Sequence, residues 1–175
     1  ASNISFIGLT FEATAAAAFN MRNGDALKVA GCTFRNMGGK VADMKFVTNS
    51  GFTGCDIYNL AKGAIYINNV GDKMNLIPSN NYVTNCYFSR FNLVSRTYSP
   101  AVRVESWSVG VEVSNNVIHD GPHSGLLIAG VDNVYANNEL YDLCTESDDA
   151  GAIYGGRNWT DRNIVFDNNI LHDIT

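Results

Sequence analysis

Proline and charge are both scarce in this chain. Three prolines against 16 glycines among 175 residues suit many tight turns and short strands rather than long helices. Charged residues make up only 17%, the net charge is −5 and no basic run occurs, which argues against nucleic acid or an anionic membrane as partner. No stretch approaches the roughly 20 apolar residues that cross a bilayer. No signal peptide opens the chain, and position 1 fits a mature or trimmed end. The four cysteines show neither CxxC nor Cys/His ligand spacing, so neither a zinc site nor a disulfide framework is expected. What is present is 46% apolar, enough for one domain with a substantial core over residues 1–175.

The chain repeats itself. "LTFEA" (9–13), "CTFRN" (32–36), "CDIYN" (55–59), "CYFSR" (86–90), "NVIHD" (116–120), "NELYD" (138–142) and "NILHD" (169–173) align on the apolar residues Phe11, Phe34, Ile57, Phe88, Ile118, Leu140 and Leu171. Successive spacings are 23, 23, 31, 30, 22 and 31. Each copy follows an alternating stretch such as "VGVEV", and several precede a third, such as "GAIYI" or "SGLLIAG". Three short strands per repeat, with Gly and Asn at the corners, predict an all-β right-handed parallel β-helix of about seven coils, stacked roughly 4.8 Å apart. Hexapeptide and leucine-rich repeats have other periods.

The register assigns structural roles first. Cys32, Cys55 and Cys86, succeeded by Asn116, Asn138 and Asn169, read as an inward column of small thiols and laddered amides. Two residues past the apolar marker stand Ala13, Asn36, Asn59, Arg90, Asp120, Asp142 and Asp173. Asp and Asn there cap turns. Three successive Asp in such a column repel by roughly 0.8 kcal/mol per pair in water, which hydrogen bonds, a shared proton or a cation would relieve.

The turn that follows forms a ridge reading "LAK", "FNLVSRTYS", "GPHS" and "LCTESDDA" when Gly63, Pro100, Gly125 and Gly151 are aligned as strand starts. It is plain near Lys62, then gains Arg96 and Tyr98, then Asp120 and His123, then Glu146, Asp148 and Asp149, beside the strand ends Arg103, Glu105, Tyr154 and Arg157. A solenoid needs no such clustering for stability, so this side is the expected site.

Three stretches on this side, "RTYSPAV" (96–102), "NNVIHDGPHSG" (115–125) and "NELYDLCTESDDAGAIYGGRNW" (138–159), resemble a bacterial-type family of right-handed β-helix proteins. That family includes glycoside hydrolase family 141, with its α-L-fucosidases and xylanases. The resemblance spans roughly residues 85 to 173. It implies that an Asp of the "DDAGAIY" type is a catalytic acid or nucleophile, with a partner on the following coil. The last ridge position reached is "NILHDIT", so the resemblance also implies a longer solenoid continuing past Thr175, and an exposed coil suited to end-to-end association.

Glycoside hydrolysis needs two carboxyl groups, ~5–5.5 Å apart for retention or ~6.5–9.5 Å for inversion, and one coil step of roughly 4.8 Å suits the former. Asp149 or Asp148 with Asp120 are the expected catalytic pair, with Glu146 in reserve. His123, Arg96, Tyr98, Arg103, Tyr154 and Arg157 are the expected substrate contacts. No cofactor is required. The alternative enzyme is a polysaccharide lyase in which Asp120, Asp142, Asp148 and Asp149 hold calcium and Lys62 or Arg103 is the base. The third reading is a carbohydrate-binding or structural solenoid. All three imply a polysaccharide or oligosaccharide partner and a secreted, periplasmic or cell-surface location. Asn3 and Asn158 open glycosylation sequons, relevant only in a eukaryotic secretory host.

Overall fold

The computed structural model describes residues 1–175 as strands with no helix. The chain is a right-handed parallel β-helix with three faces. The second face holds Thr10–Glu12, Thr33–Met37, Asp56–Leu60, Tyr87–Ser89, Val117–Gly121, Glu139–Leu143 and Ile170–Ile174, stacked in chain order. The first face holds Ser2–Ile7, Gly51–Thr53, Asn81–Thr84, Val111–Ser114, Val134–Ala136 and Val165–Asp167. The third holds Ala42–Thr48, Ile65–Asn68, Val102–Val104, Leu126–Ile128 and Ile153–Gly155. Phe19–Ala30 bends from the third face to the first, pairing with Ala42–Thr48 through its early residues and with Gly51–Thr53 through its late ones. Those two faces therefore form one 12-stranded sheet.

The repeat seen in the sequence is the register of the second face. Phe11 pairs with Phe34, Phe34 with Ile57, Ile57 with Phe88, Phe88 with Ile118, Ile118 with Leu140 and Leu140 with Leu171. Five of these seven are fully buried, and Leu171, on the outermost coil and covered from one side, keeps 47% exposure. In the early coils the column continues into stacked aromatics, with the Phe11 and Phe34 rings 5.0 Å apart and nearly parallel. Burying each such side chain stabilises the fold by about 1.5–3 kcal/mol.

Corners explain the Gly and Asn content. The residue before the Cys/Asn column lies in the left-handed region on every coil, at φ between 49° and 65°, as Gly31 and Gly54 early and as Asn85, Asn115, Asn137 and Asn168 later. Gly and Asn occupy that region at least cost. The next residue points inward and builds a ladder. The Asn116 and Asn138 backbone N–H groups donate to the Oδ1 atoms of Asn138 and Asn169 at 3.1 and 3.0 Å. Their Nδ2 groups donate to the Val83 and Val113 carbonyls, both at 2.9 Å. The Asp column is also a turn column. Asp120, Asp142 and Asp173 have φ of 53°, 48° and 50°, so left-handed backbone accounts for the residue type there.

Asn138 is thus a tie between three coils. Asn138→Ala leaves the buried Asn116 N–H without its side-chain acceptor, at about 1–3 kcal/mol for a buried group. A urea midpoint lowered accordingly at unchanged m is expected, and a shift under about 0.5 kcal/mol would contradict the ladder's role.

Candidate functional site

Register across the third face sets how the ridge loops stack. Val102 pairs with Leu126 and Leu126 with Ile153, so Pro100, Ser124 and Gly151 are equivalent. Aligning Gly125 with Pro100 and Gly151 was therefore one residue out. Gly125 belongs to the next, inward column with buried Ala101 and Ala152, where a Cβ would come within 3.1 Å of Leu143, Ile118 and Leu140. Core crowding, not a turn, selects that glycine.

Between equivalent positions the middle coil has only two residues, Pro122 and His123, where the coil before has eight (92–99) and the coil after has seven (144–150). Strands stacked at a fixed pitch cannot absorb the extra residues, so both longer loops bulge outward and leave a notch over His123. The bulges meet across the notch. Arg96 Nε donates to Glu146 Oε2 at 2.7 Å, and its Nη2 contacts Glu146 Oε1, a bidentate pair between residues two coils apart. Both partners are half-exposed. Arg96, Tyr98, Cys144 and Arg157 take φ of 58°, 50°, 65° and 67°, a conformation costly for such side chains that Phe46 and Leu76 also adopt elsewhere.

His123 lies at the floor of the notch, 1% exposed. The Tyr98 ring is 4.7 Å away and the Tyr154 ring 6.4 Å, centroid to centroid. Its Nδ1 is buried without a hydrogen-bond partner. Burial pushes the imidazole pKa down, and the nearby Asp149 charge offsets part of that. The ring is therefore neutral near pH 7, and its unpartnered nitrogen can accept or deliver a proton.

From Tyr98 a groove of about 300 Å³ runs down the third face, lined by Arg103, Glu105, Tyr154 and Arg157 among others. Arg103 Nε is 2.6 Å from Glu105 Oε1, and its guanidinium sits 5.6 Å from the Tyr66 ring centre. Arg157 makes no ion pair. Two tyrosine rings, a free guanidinium and a paired one can stack on a sugar ring and bind hydroxyl or carboxylate groups. The lower wall is braced by Lys73, from a small hairpin closed by Asp72 and Ile77. Lys73 Nζ donates to the Ser106 carbonyl at 2.6 Å, to Thr160 Oγ1 at 2.9 Å and to Asp161 at 3.1 Å. Both charges of that ion pair are about nine-tenths buried.

The expected site residues divide between this groove and a second one. Tyr98, Arg103, Tyr154 and Arg157 line the third-face groove, and His123 and Asp149 adjoin it through Tyr98 and Tyr154. Asp120 and Arg96 line another groove, at the corner, with Arg90 and Asp142. There Asp120 Oδ2 is 3.1 Å from His119 Nδ1, and Glu146 joins through Arg96. Asp148 and Asp149 are exposed on the bulge. Asp120 lines the corner groove, whereas the Asp149 charge acts on His123. No group of three His, Cys, Asp or Glu side chains is placed to hold a metal ion. Glu105 was undervalued in the sequence, although its spacing of two from Arg103 puts both on one side of a strand. The Lys73–Asp161 brace joins residues 88 apart and leaves no local signal.

No protein-family profile matches the chain, and no curated protein matches it at significant similarity. Two of the solved structures that share the fold are a lyase and a tailspike protein. An alginate lyase from Paenibacillus sp. str. FPU-7 aligns over 94% of this chain and 67% of its own, at TM-score 0.59 and 14% identity. A mutant tailspike protein of E. coli bacteriophage HK620, in complex with a pentasaccharide, aligns over 98% of this chain and 39% of its own, with the same TM-score and identity. Both likenesses show the parallel β-helix.

His123 makes stability pH-dependent. Its folded pKa is depressed, so its contribution is fully present above about pH 6.5 and lost as pH falls through the folded value. His172 has the opposite sign. Hydrogen bonds to Asp173 and then Glu139 raise its pKa, so its contribution is present below about pH 6.5 and lost as pH rises through the raised value. In urea melts at about pH 5 and pH 7.5, His123→Phe should show less acid-side loss than the wild type, and His172→Gln should not. An unchanged acid slope in His123→Phe would contradict a buried neutral imidazole.

Proposed function

We propose that this chain is a carbohydrate-active β-helix whose third-face groove holds a neutral or partly acidic plant or algal glycan. The observation that carries the reading is the buried neutral His123 at the floor of a notch, flanked by Tyr98, Tyr154 and the Asp149 charge. A buried polar ring with a nitrogen left unpartnered is a feature that packing alone does not call for. The alginate lyase and the pentasaccharide-bound tailspike support the same class of partner.

The finer reading is a glycoside hydrolase with Asp149 as one carboxyl. Glu105, which lines the groove itself, suits the partner role better than Asp120, which lines the corner groove. Asp148 and Glu146 precede Asp149 in sequence, and Glu146 and Glu105 are each ion-paired, to Arg96 and to Arg103. A specific feature favours a lyase as the second reading. A neutral imidazole beside two phenols and the Arg103 and Arg157 guanidinium groups is a base, an acid and a charge-neutralising set for removing a uronate α-proton. A calcium-dependent version would draw on Asp120, Asp142, Asp148 and Asp149, which are not gathered into one group in this structure, and melting with calcium and with chelator reads it by mass action. End-to-end association belongs to the same proposal, with exposed Phe166, Ile170 and Leu171 as its apolar surface.

Asp149→Asn in the intact protein should lower hydrolysis on the order of 10²–10⁴-fold and leave glycan affinity within about threefold, since shape is kept and ionisation lost. Reducing-end release without unsaturation marks a hydrolase, an unsaturated uronate marks a lyase, and binding with neither marks a binding module. Undiminished turnover by Asp149→Asn would overturn the assignment.

A further inference from the structure

The largest cavity of the molecule, about 660 Å³, lies on the first face and shares no lining residue with the grooves at the corner and on the third face. Its floor is the outward side of Asn81–Thr84 and Val111–Ser114, with Tyr82 and Glu112 directly paired. Tyr82 packs over Gly51, where a Cβ would come within 2.8 Å of its ring carbons. That glycine lets the phenol lie back along the face and opens the space in front of Glu112. Glu112 is exposed, and its Oε1 accepts from Ser114 Oγ at 2.5 Å, which fixes the carboxylate over the floor.

One wall of this trough is a broken ladder. The corner residues Asn49, Asn80, Gly110, Asp132 and Asn163 stack in one column, all at positive φ. Asn80 donates to Asn49 at 3.1 Å, and Asn163 donates to Asp132 at 2.9 Å. Gly110 supplies no rung between them, because a Cβ there would come 2.4 Å from Pro78. Asn80 Oδ1 and the second Asp132 oxygen thus face a gap of two coil steps, roughly 10 Å. The Asn80 and Asp132 oxygens turned to the gap are acceptors. Two carboxylates and a phenol ring line the trough, and no Lys, Arg or His does.

We propose that this first-face trough is a second saccharide site, one that takes an amine-bearing sugar, with the ring on Tyr82 and its ammonium and hydroxyl groups on Glu112, Asn80 and Asp132. A concavity with two carboxylates and no cationic side chain disfavours uronates, and an ammonium gains from the carboxylates and from the aromatic face together. The third-face groove, with its guanidinium groups, has the opposite preference. The inference stands on the trough alone and does not depend on which reaction the ridge performs.

The test is titration of the intact protein with a glucosamine tetramer, its N-acetylated form and a tetrauronate, by calorimetry and by NMR. At the trough, read by the Asn81–Thr84 and Val111–Ser114 amides, the glucosamine tetramer should bind at least tenfold more tightly than either competitor. Tyr82→Ala, and independently the conservative surface change Glu112→Gln, should each weaken it at least fivefold. Arg157→Ala should leave it unchanged, so loss of the third-face reading would not disturb this result. No shift of these amides with the glucosamine tetramer, equal shifts of them with the N-acetylated or uronate tetramer, or wild-type affinity at them in Glu112→Gln would overturn the proposal.

Discussion

Parallel pairing of each coil with the next is the constraint on which everything else depends. The backbone groups of all three faces are committed to neighbours at a fixed pitch, so residues can be added only at corners and only outward. A one-residue slip on the second face would turn its buried column to solvent. The inward amides of Asn116, Asn138 and Asn169 reinforce the same registration, since each satisfies backbone groups that belong to other coils.

Given that constraint, the variable corner decides where chemistry is housed. The ridge between the second and third faces combines a short turn with a longer loop on either side, which makes a notch without any change in the helix beneath it. The Arg96–Glu146 pair is half-exposed and contributes little to stability, about 0–1 kcal/mol. Its consequence is geometric, because it holds two loops together over His123. The same rigid frame carries grooves of opposite electrostatic character on different faces. Arg103 and Arg157 line one and Glu112 and Asp132 line the other.

The fold was readable because a solenoid writes its register into the sequence seven times, and the seven apolar markers pair as aligned. The ridge as the polar side was readable for the same reason, since corner residues inherit the alignment. Its interior was not. Gly125 was misplaced by one because a core glycine and a turn glycine look alike in a string. Asp120 lines the corner groove and Asp149 lies near His123, a division that one coil step in the alignment does not record. The burial of His123 follows from what Tyr98 and Tyr154 do in space, and neighbouring letters carry no record of that. The first-face trough depends on two glycines, Gly51 and Gly110, whose meaning lies in the side chains they make room for.

Only three histidines are present, His119, His123 and His172, and they sit in distinguishable surroundings. His119 is bonded to Tyr87 at 2.6 Å and stacked on Tyr141, and His172 is held between Asp173 and Glu139. The most direct measurement of the central claim is therefore the imidazole ¹⁵N spectrum during titration with a neutral or acidic oligosaccharide that the protein binds. The account predicts that the His123 signals move with saturation while those of His119 and His172 stay in place. Saturation with the His123 signals unmoved would contradict it.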